Sequence, residues 1–252
     1  MQDYYERKDG SFIHYEKIDG QGEGILYLHG LLSSKESKKG QFLKQLAIKM
    51  GRPYLSLDFN CHGKSSGKPN ELTIGQCLKD ACDILNDVAT DKNYIVVGSS
   101  LGGWIACLLA RKLPNRVSAL IGLAPGVDFT QWVWNDMLSE EQQNFLKNGG
   151  VLGPSEETNG YCFTYRFFQE AENHFLRKKE KTISYTGPVV LINGDKDVLV
   201  DFKKTLSLID NFESDDVKIL IIKGADHRLS TETDLSVIQN VVDTILKKIN
   251  DR

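Results

Sequence analysis

The segment Gly98–Gly102 reads Gly-Ser-Ser-Leu-Gly and joins two apolar runs of different character. The run that leads into it, Tyr94–Gly98, is typical of a short buried strand, whereas Gly103–Arg111 is typical of a helix. A change over so few residues requires a sharp turn, and flanking glycines remove the side chains that would collide there. The segment therefore predicts a strand, a tight turn and a helix, with the Ser100 hydroxyl exposed at the turn as a candidate nucleophile.

Short apolar runs alternate with helix-like stretches on both sides of this turn. The first two predicted strands form a hairpin around Asp9-Gly10, a strong two-residue turn signal. The predicted strands are Tyr4–Lys8, Phe12–Lys17, Ile25–Leu28, Tyr54–Leu57, Tyr94–Gly98, Val117–Leu123, Val189–Ile192 and Val217–Ile222. The predicted helices cover about 38–50, 73–90, 103–111, 202–212 and 233–249. This alternation predicts an α/β fold, with a mostly parallel eight-stranded sheet that carries helices on both faces.

Residues 127–186 interrupt the alternation. The stretch is polar and rich in aromatic residues, and Gly149-Gly150 and Gly153-Pro154 punctuate it. We expect one or two helices, a loop and a final helix near Tyr165–Lys179. The predicted organisation is therefore a core made of residues 1–126 and 187–252, with residues 127–186 inserted as a small helical cap or lid.

Composition and charge exclude several classes of protein. The net charge of -3 gives no sign of the basic face that nucleic-acid binding needs. The five cysteines are odd in number and lack paired spacing, which argues against a disulfide framework, and no His/Cys cluster suggests zinc. The charged N-terminus does not resemble a signal peptide, and the apolar runs are far shorter than the ~20 residues of a membrane helix. We expect a cytoplasmic protein without a metal site or a membrane span.

A serine nucleophile needs a base that accepts its proton and an acid that orients the base. In folds with this kind of turn, the order along the chain is nucleophile, acid, base. Two histidines follow Ser100. His174 lies in the insertion among polar residues and is expected to be an exposed helix residue. His227 follows the last predicted strand, at the sheet edge where ligands bind in open α/β sheets, and is the predicted base.

The orienting acid is expected in the loop after the preceding strand, where Asp195 and Asp197 are both available. Asp197 fits better, because a tight turn precedes it and the apolar Val200 follows it. Asp195 stays the alternative, and its more ordinary role is a turn residue that bonds its own backbone. Asp201 is expected to cap the next helix.

The reaction at a serine nucleophile passes through an oxyanion that needs fixed hydrogen-bond donors. The backbone N–H of Leu101, directly after the serine, is one candidate, and the N–H of Leu31, in the loop after the Ile25–Leu28 strand, is the other. His29 is expected to bond the loop backbone rather than to act in catalysis. The loop that contains His62 is expected to brace the oxyanion loop.

Four motifs occur in a characteristic order, namely His29-Gly30, the Gly98–Gly102 turn, Gly194-x-x-Asp197-x-x-Val200 and Gly224-x-Asp-His227. With them the chain resembles the α/β-hydrolase superfamily over its whole length. A closer likeness, carried by Gly98–Trp104 and Asp226–Arg228, is to the abhydrolase domain-containing protein 10 group.

This resemblance implies the superfamily fold and a catalytic triad of Ser100, Asp197 and His227. It also implies oxyanion amides at Leu31 and Leu101, and no metal or other cofactor. Members of the closer group act as thioesterases and esterases on palmitoylated proteins and acyl glucuronides. The resemblance therefore implies a small molecule or an acylated protein as the substrate.

We expect a serine hydrolase that cleaves carboxylic esters or thioesters with medium to long acyl chains. Carbon–carbon bond hydrolysis, peptidase action and a binding protein that keeps the triad as a ligand pocket are the alternatives. Arg166 and Arg228 could meet an anionic leaving group or form surface salt bridges. Apolar side chains of the insertion could roof an acyl pocket or pack the cap onto the core. These side chains are Phe129, Trp132, Trp134, Met137, Phe145, Tyr161, Phe163, Tyr165, Phe167 and Phe168.

Overall fold

The computed structural model describes residues 2–154, 162–177 and 182–251. Within these ranges, eight strands form one sheet in the order β1-β2-β4-β3-β5-β6-β9-β10, and β7 pairs with β8 in a separate short hairpin. The strands are β1 (Gln2–Glu6), β2 (Phe12–Ile18), β3 (Gly24–Leu28), β4 (Tyr54–Leu57), β5 (Tyr94–Ser99), β6 (Val117–Leu123), β7 (Val151–Leu152), β8 (Phe163–Thr164), β9 (Val189–Gly194) and β10 (Val217–Ile222).

The large sheet is parallel from β4 to β10 and antiparallel only at one end. There, β1 pairs with β2 across the Asp9-Gly10 turn, and β2 pairs antiparallel with β4. The central strands β3, β4, β5 and β9 are buried along their whole length. Burial on both faces explains why they are continuous apolar runs rather than alternating ones.

Helices cover both faces of the sheet. The helices of the described ranges are α1 (Lys38–Lys49), α2 (Ile74–Asp83), α3 (Leu101–Lys112), α4 (Phe129–Trp132), α5 (Glu140–Lys147), α6 (Tyr165–Ala171), α7 (Phe202–Leu206) and α8 (Glu232–Asn250). Neighbouring strand residues point to opposite faces, so Ile25 and Ile95 pack in the apolar layer under α1 and α8, while Leu26 and Val96 pack under α2 and α3. The predicted α/β fold with a mostly parallel eight-stranded sheet is confirmed.

Across the described part of the chain, every helix is too short or too polar to traverse a lipid bilayer.

The elements between β6 and β9 differ from the expected helices and loop. Besides α4, α5 and α6, the segment contains the β7–β8 hairpin, whose strands of two residues are too short to show a period in the sequence. The last helix ends at Ala171, and a 3-10 turn over Glu172–His174 follows it. The predicted end of this helix at Lys179 lies outside the described residues.

One set of hydrogen bonds joins the two ends of this segment, and another contact ties the segment to α2. The buried carboxylate of Asp128, at its start, accepts hydrogen bonds from the N–H groups of Leu176 and Arg177, at its end. Glu170 of α6 accepts the Gly75 N–H at the start of α2, and it pairs with His174 at 2.7 Å. The expectation that His174 is an exposed helix residue is therefore wrong, because its side chain is 19% exposed and bonds Glu170, which in turn contacts the start of α2.

Candidate active site

Ser100 lies at the sharp turn between β5 and α3. Its φ angle is +54°, in a region that residues with a Cβ atom rarely adopt. Neighbouring backbone holds this conformation: the Ser100 N–H donates to the Leu123 carbonyl at 2.9 Å, and the Ser100 carbonyl accepts the Gly126 N–H at 3.0 Å. Strain of this kind persists only where the surroundings fix it, and it concentrates at functional sites.

The glycines around Ser100 are required by close backbone contacts. A Cβ atom on Gly98 would come within 3.0 Å of the Gly102 carbonyl oxygen, and one on Gly102 would come equally close to the Leu28 carbonyl oxygen. Both obstacles are backbone atoms, which cannot rotate away as a side chain can. The two glycines of the Gly-x-Ser-x-Gly pattern therefore allow α3 to approach β3 and β5 this closely.

A Gly102→Ala substitution is expected to destabilise the protein by about 3 kcal/mol, because the new methyl group overlaps the backbone of β3. Urea unfolding followed by circular dichroism measures the effect. Gly153→Ala is the matched control, since its new Cβ meets no atom of the described residues within 4 Å. Its stability should stay within about 0.5 kcal/mol of the wild type. Equal stability of the two variants would contradict the argument.

Three side chains from distant parts of the chain meet at the carboxyl edge of the sheet. The Ser100 hydroxyl lies 3.1 Å from Nε2 of His227, and Nδ1 of His227 lies 2.8 Å from Oδ2 of Asp197. Asp197 follows β9 and His227 follows β10, and the parallel pairing of these strands brings the two loops together. The Asp197 side chain is fully buried, whereas the His227 side chain keeps 19% of its surface exposed. The arrangement can pass a proton from the hydroxyl to the imidazole.

The second oxygen of Asp197 fixes the orientation of the carboxylate. Oδ1 accepts the N–H groups of Leu199 at 2.9 Å and Val200 at 2.8 Å, which leaves Oδ2 for His227. Asp195 instead accepts the Gly224 N–H at 2.5 Å, so it ties the loop after β9 to the loop after β10. The expectation that Asp195 bonds its own backbone is wrong. Asp201 caps α7 as predicted, through the Lys203 N–H.

The two predicted oxyanion donors lie beside Ser100. Leu101 is the first residue of α3, and Leu31 lines the same cavity as Ser100 and His227. Within the described residues, neither backbone N–H donates a hydrogen bond to the protein. A Cβ atom on Gly30 would lie 3.3 Å from the Ser100 Cβ, so the oxyanion loop touches the turn. The two amides are available to a ligand atom, and their catalytic role stays a prediction.

His29 and the loop after β4 support the oxyanion loop from behind. His29 Nδ1 donates to the Gly30 carbonyl at 2.7 Å, and Nε2 accepts the Phe59 N–H at 3.0 Å. Complete burial lowers the pKa of His29 to about 3, so the ring is neutral. Asp58 accepts the N–H groups of Lys35 at 2.8 Å and Lys64 at 3.1 Å. The structure agrees with a bracing role for His29 and for this loop.

A cavity of about 750 Å³ opens over Ser100. Its walls include side chains of the inserted segment and of the loop after Asp197, among them Phe129, Trp132, Val133, Met137, Phe145, Leu152, Phe163, Val198 and Leu199. Other predicted roof residues, including Phe167 and Phe168, are buried in the apolar core instead. Tyr161 lies outside the described residues. Arg166 and Arg228 are exposed, and neither is among the residues that line the cavity.

The comparisons with known proteins cover most of the chain. A family model described as the alpha/beta hydrolase fold matches residues 25–150. Mitochondrial palmitoyl-protein thioesterase ABHD10 from Mus musculus is 31% identical over 249 residues, which are 98% of this chain and 83% of that protein. The Homo sapiens protein of the same name is 30% identical, with 98% of this chain and 80% of that protein covered. Among solved structures, alpha/beta hydrolase domain-containing protein 10 from mouse matches with a TM-score of 0.90 and 29% identity, covering 99% of both chains.

Proposed function

The chain belongs to the alpha/beta hydrolase family, and from this premise we propose that it hydrolyses acyl esters or thioesters through an acyl–Ser100 intermediate. One observation carries the proposal. The Ser100 hydroxyl, the His227 imidazole and the Asp197 carboxylate form a continuous chain of hydrogen bonds at the wall of an apolar cavity. A hydroxyl, an imidazole and a buried carboxylate in this order are the parts of an activated serine nucleophile.

In the proposed reaction, Ser100 Oγ attacks the acyl carbonyl carbon while Nε2 of His227 takes the hydroxyl proton. The N–H groups of Leu31 and Leu101 stabilise the negative charge that develops on the carbonyl oxygen. His227 then gives its proton to the departing alcohol or thiol, which leaves the acyl group on Ser100. A water molecule then attacks the acyl carbonyl while His227 takes one of its protons. When the second oxyanion collapses, His227 returns this proton to Ser100 Oγ, and the carboxylic acid is released. Asp197 holds the imidazole in the required tautomer throughout.

We further propose that residues 127–186 form a cap on a core made of residues 1–126 and 187–252. Asp128 supports this division, because its carboxylate bonds the N–H groups of Leu176 and Arg177 and so closes the base of the segment. The cavity supports it as well, because its walls combine residues of the segment with Ser100 and His227. On this proposal the cap forms the wall that an acyl chain contacts.

The substrate class follows from the cavity and the relatives together. The relatives are named palmitoyl-protein thioesterases, and the apolar cavity of this chain suits a medium or long acyl chain. We propose that the substrate is an acylated small molecule or protein. The predicted cytoplasmic location stays a prediction, and the named relatives are mitochondrial proteins.

Lengthening the acyl chain is expected to raise kcat/KM, because each added methylene leaves water for the cavity wall. Full burial of a methylene contributes about 0.8 kcal/mol, or roughly a fourfold gain per carbon until the cavity is filled. Steady-state kinetics on p-nitrophenyl acetate, butyrate, hexanoate and octanoate, and on the matching acyl thioesters, measures the series.

Two results, one from that series and one from a peptide and a dione tested beside it, would contradict the proposal. A profile with acetate as the best substrate would show that the cavity does not take the acyl chain. Cleavage of a peptide or a carbon–carbon bond, with every ester and thioester untouched, would assign the same three side chains to a different reaction.

A further inference from the structure

Lys39 is a buried lysine whose hydrogen bonds go to the loop that carries His227. It lies in the first turn of α1 with only 9% of its surface exposed. Its ammonium donates to the backbone carbonyl of Arg228, the residue directly after the proposed base, and to Ser230 Oγ at 3.5 Å. A charge-assisted hydrogen bond of this kind is about twice as strong as a neutral one. The first turn of α1 is thus joined to a loop 189 residues further along the chain.

The backbone next to this contact is strained. Leu229 has a φ angle of +45°, and its side chain is fully buried in the apolar layer under α1 and α8. A branched residue in this region of φ is unfavourable, so the conformation persists only where its surroundings hold it. The Arg228 carbonyl accepts a second hydrogen bond, from Ser230 Oγ at 2.7 Å. The strained peptide is therefore held by Lys39 and Ser230 on its polar side and by the buried Leu229 side chain on the other.

We propose that Lys39 is a positioning residue for His227, because its ammonium holds the strained Arg228–Leu229 turn and so keeps the imidazole in line with the Ser100 hydroxyl. This inference rests on the proposed function of Ser100 and His227. His227 must reach the serine oxygen and later the leaving group, and a misplacement of about 1 Å in such a site costs about 100-fold in rate. A loop that relaxed its strain would move the residue next to the turn, which is His227 itself.

Stability alone is a poor explanation for a lysine at this position. A buried charge is costly, and replacing buried ionic groups by well-packed apolar residues often leaves stability unchanged or raises it. Burial lowers the pKa of Lys39 to about 8, against the favourable charges of Asp226 in the loop and Asp234 in α8, while Arg228 opposes the ammonium. Burying the ammonium therefore lowers the stability of the folded state. What the charge contributes in return is a strong hydrogen bond to the Arg228 carbonyl.

The test is Lys39→Met, which keeps the length of the side chain and removes its charge and its donors. With p-nitrophenyl octanoate we expect kcat to fall by about 10- to 100-fold, as for a misplaced base, with KM within about twofold. The melting temperature should stay the same or rise.

Lys44→Met is the matched control on the same helix. Lys44 bonds Glu16 at 2.6 Å rather than the His227 loop, so the kcat of this variant should equal that of the wild type. Ser230→Ala removes the second hydrogen-bond donor to the Arg228 carbonyl. It should lower kcat by about threefold, which corresponds to the loss of one neutral hydrogen bond.

The pH profile separates positioning from a purely structural role. Below pH 8 the Lys39 ammonium is charged and its bond to Arg228 is complete, and above pH 8 it loses a proton and the bond weakens. In the wild type, kcat should fall severalfold as the pH rises through about 8, and Lys39→Met should lack this step.

An unchanged kcat in Lys39→Met, or a loss of kcat that follows a matching loss of melting temperature, would overturn the inference. If Lys39→Met does not fold, two other measurements test the proposal. The wild type should show the fall of kcat near pH 8, and Ser230→Ala should show a lower kcat; the absence of both would overturn it. Failure of the proposed function has a different signature, because the wild type itself would then lack hydrolysis that depends on Ser100.

Discussion

Replacing Ser100 by alanine is expected to lower kcat for acyl esters by about five orders of magnitude. Only the hydroxyl group is lost, because alanine keeps the Cβ atom. The strained backbone should also persist, because its hydrogen bonds with Leu123 and Gly126 do not involve the side chain. The fold should therefore survive while the nucleophile disappears. Kinetics with p-nitrophenyl octanoate measures the loss, and covalent labelling by a fluorophosphonate should vanish with it.

Ser99→Ala is the matched control for this experiment. Ser99 is buried at the end of β5, one residue from the turn, and no role in the reaction is proposed for it. Its variant should keep labelling and turnover near the wild-type level. Equal labelling of the wild type and Ser100→Ala would refute the acyl-serine intermediate. A wild type that binds acyl compounds but neither labels nor turns over would identify a binding protein that keeps the triad as a pocket.

Asp197→Asn is expected to lower kcat by about 10⁴-fold, the size of effect that loss of the orienting carboxylate has in a serine protease triad. The reason lies in the two oxygens of this carboxylate. Oδ1 accepts the N–H groups of Leu199 and Val200, so the amide oxygen of asparagine must stay at that position. The amide nitrogen then faces Nδ1 of His227, which must become an acceptor. The imidazole proton moves to Nε2, where it blocks transfer from the Ser100 hydroxyl.

Asp195→Asn is the matched control, two residues away in the same loop. Asp195 accepts the N–H of Gly224 rather than contacting His227, and its asparagine variant keeps an acceptor for that amide. Its kcat should stay within about threefold of the wild type. A loss at Asp195 as large as the loss at Asp197 would show that the acid has been assigned to the wrong aspartate.

Much of the fold could be predicted because it depends on local patterns. Apolar runs such as Ile25–Leu28 and Tyr94–Gly98 are strands in the structure because a strand buried on both faces must be apolar along its length. Helices with a wide apolar stripe, such as α1 and α8, were predicted to within a residue or two. The β7–β8 hairpin was missed because two residues carry no period, and the helix at Tyr165 ends early at a 3-10 turn that the pattern does not mark.

The candidate site could be predicted only where the order of motifs along the chain limits the choices. Ser100 and His227 follow from a turn between strand and helix and from a histidine after the last strand. Whether Asp195 or Asp197 contacts His227 depends on how one loop folds back on itself. The sequence around Lys39 holds no sign of its role, because its partner carbonyl lies 189 residues away and any residue supplies a carbonyl.

The amino-acid sequence by itself determined the parallel α/β sheet, the glycine turn at Ser100 and the set of residues that follow each strand. These are properties of neighbouring residues, and apolar periodicity and the size of a side chain record them directly. Only the tertiary structure decided that Asp197 contacts the imidazole, that Asp195 joins two loops, and that a buried ammonium meets the Arg228 carbonyl. Such contacts depend on which loops the paired strands bring side by side, and distances across the sheet leave no pattern in the order of residues.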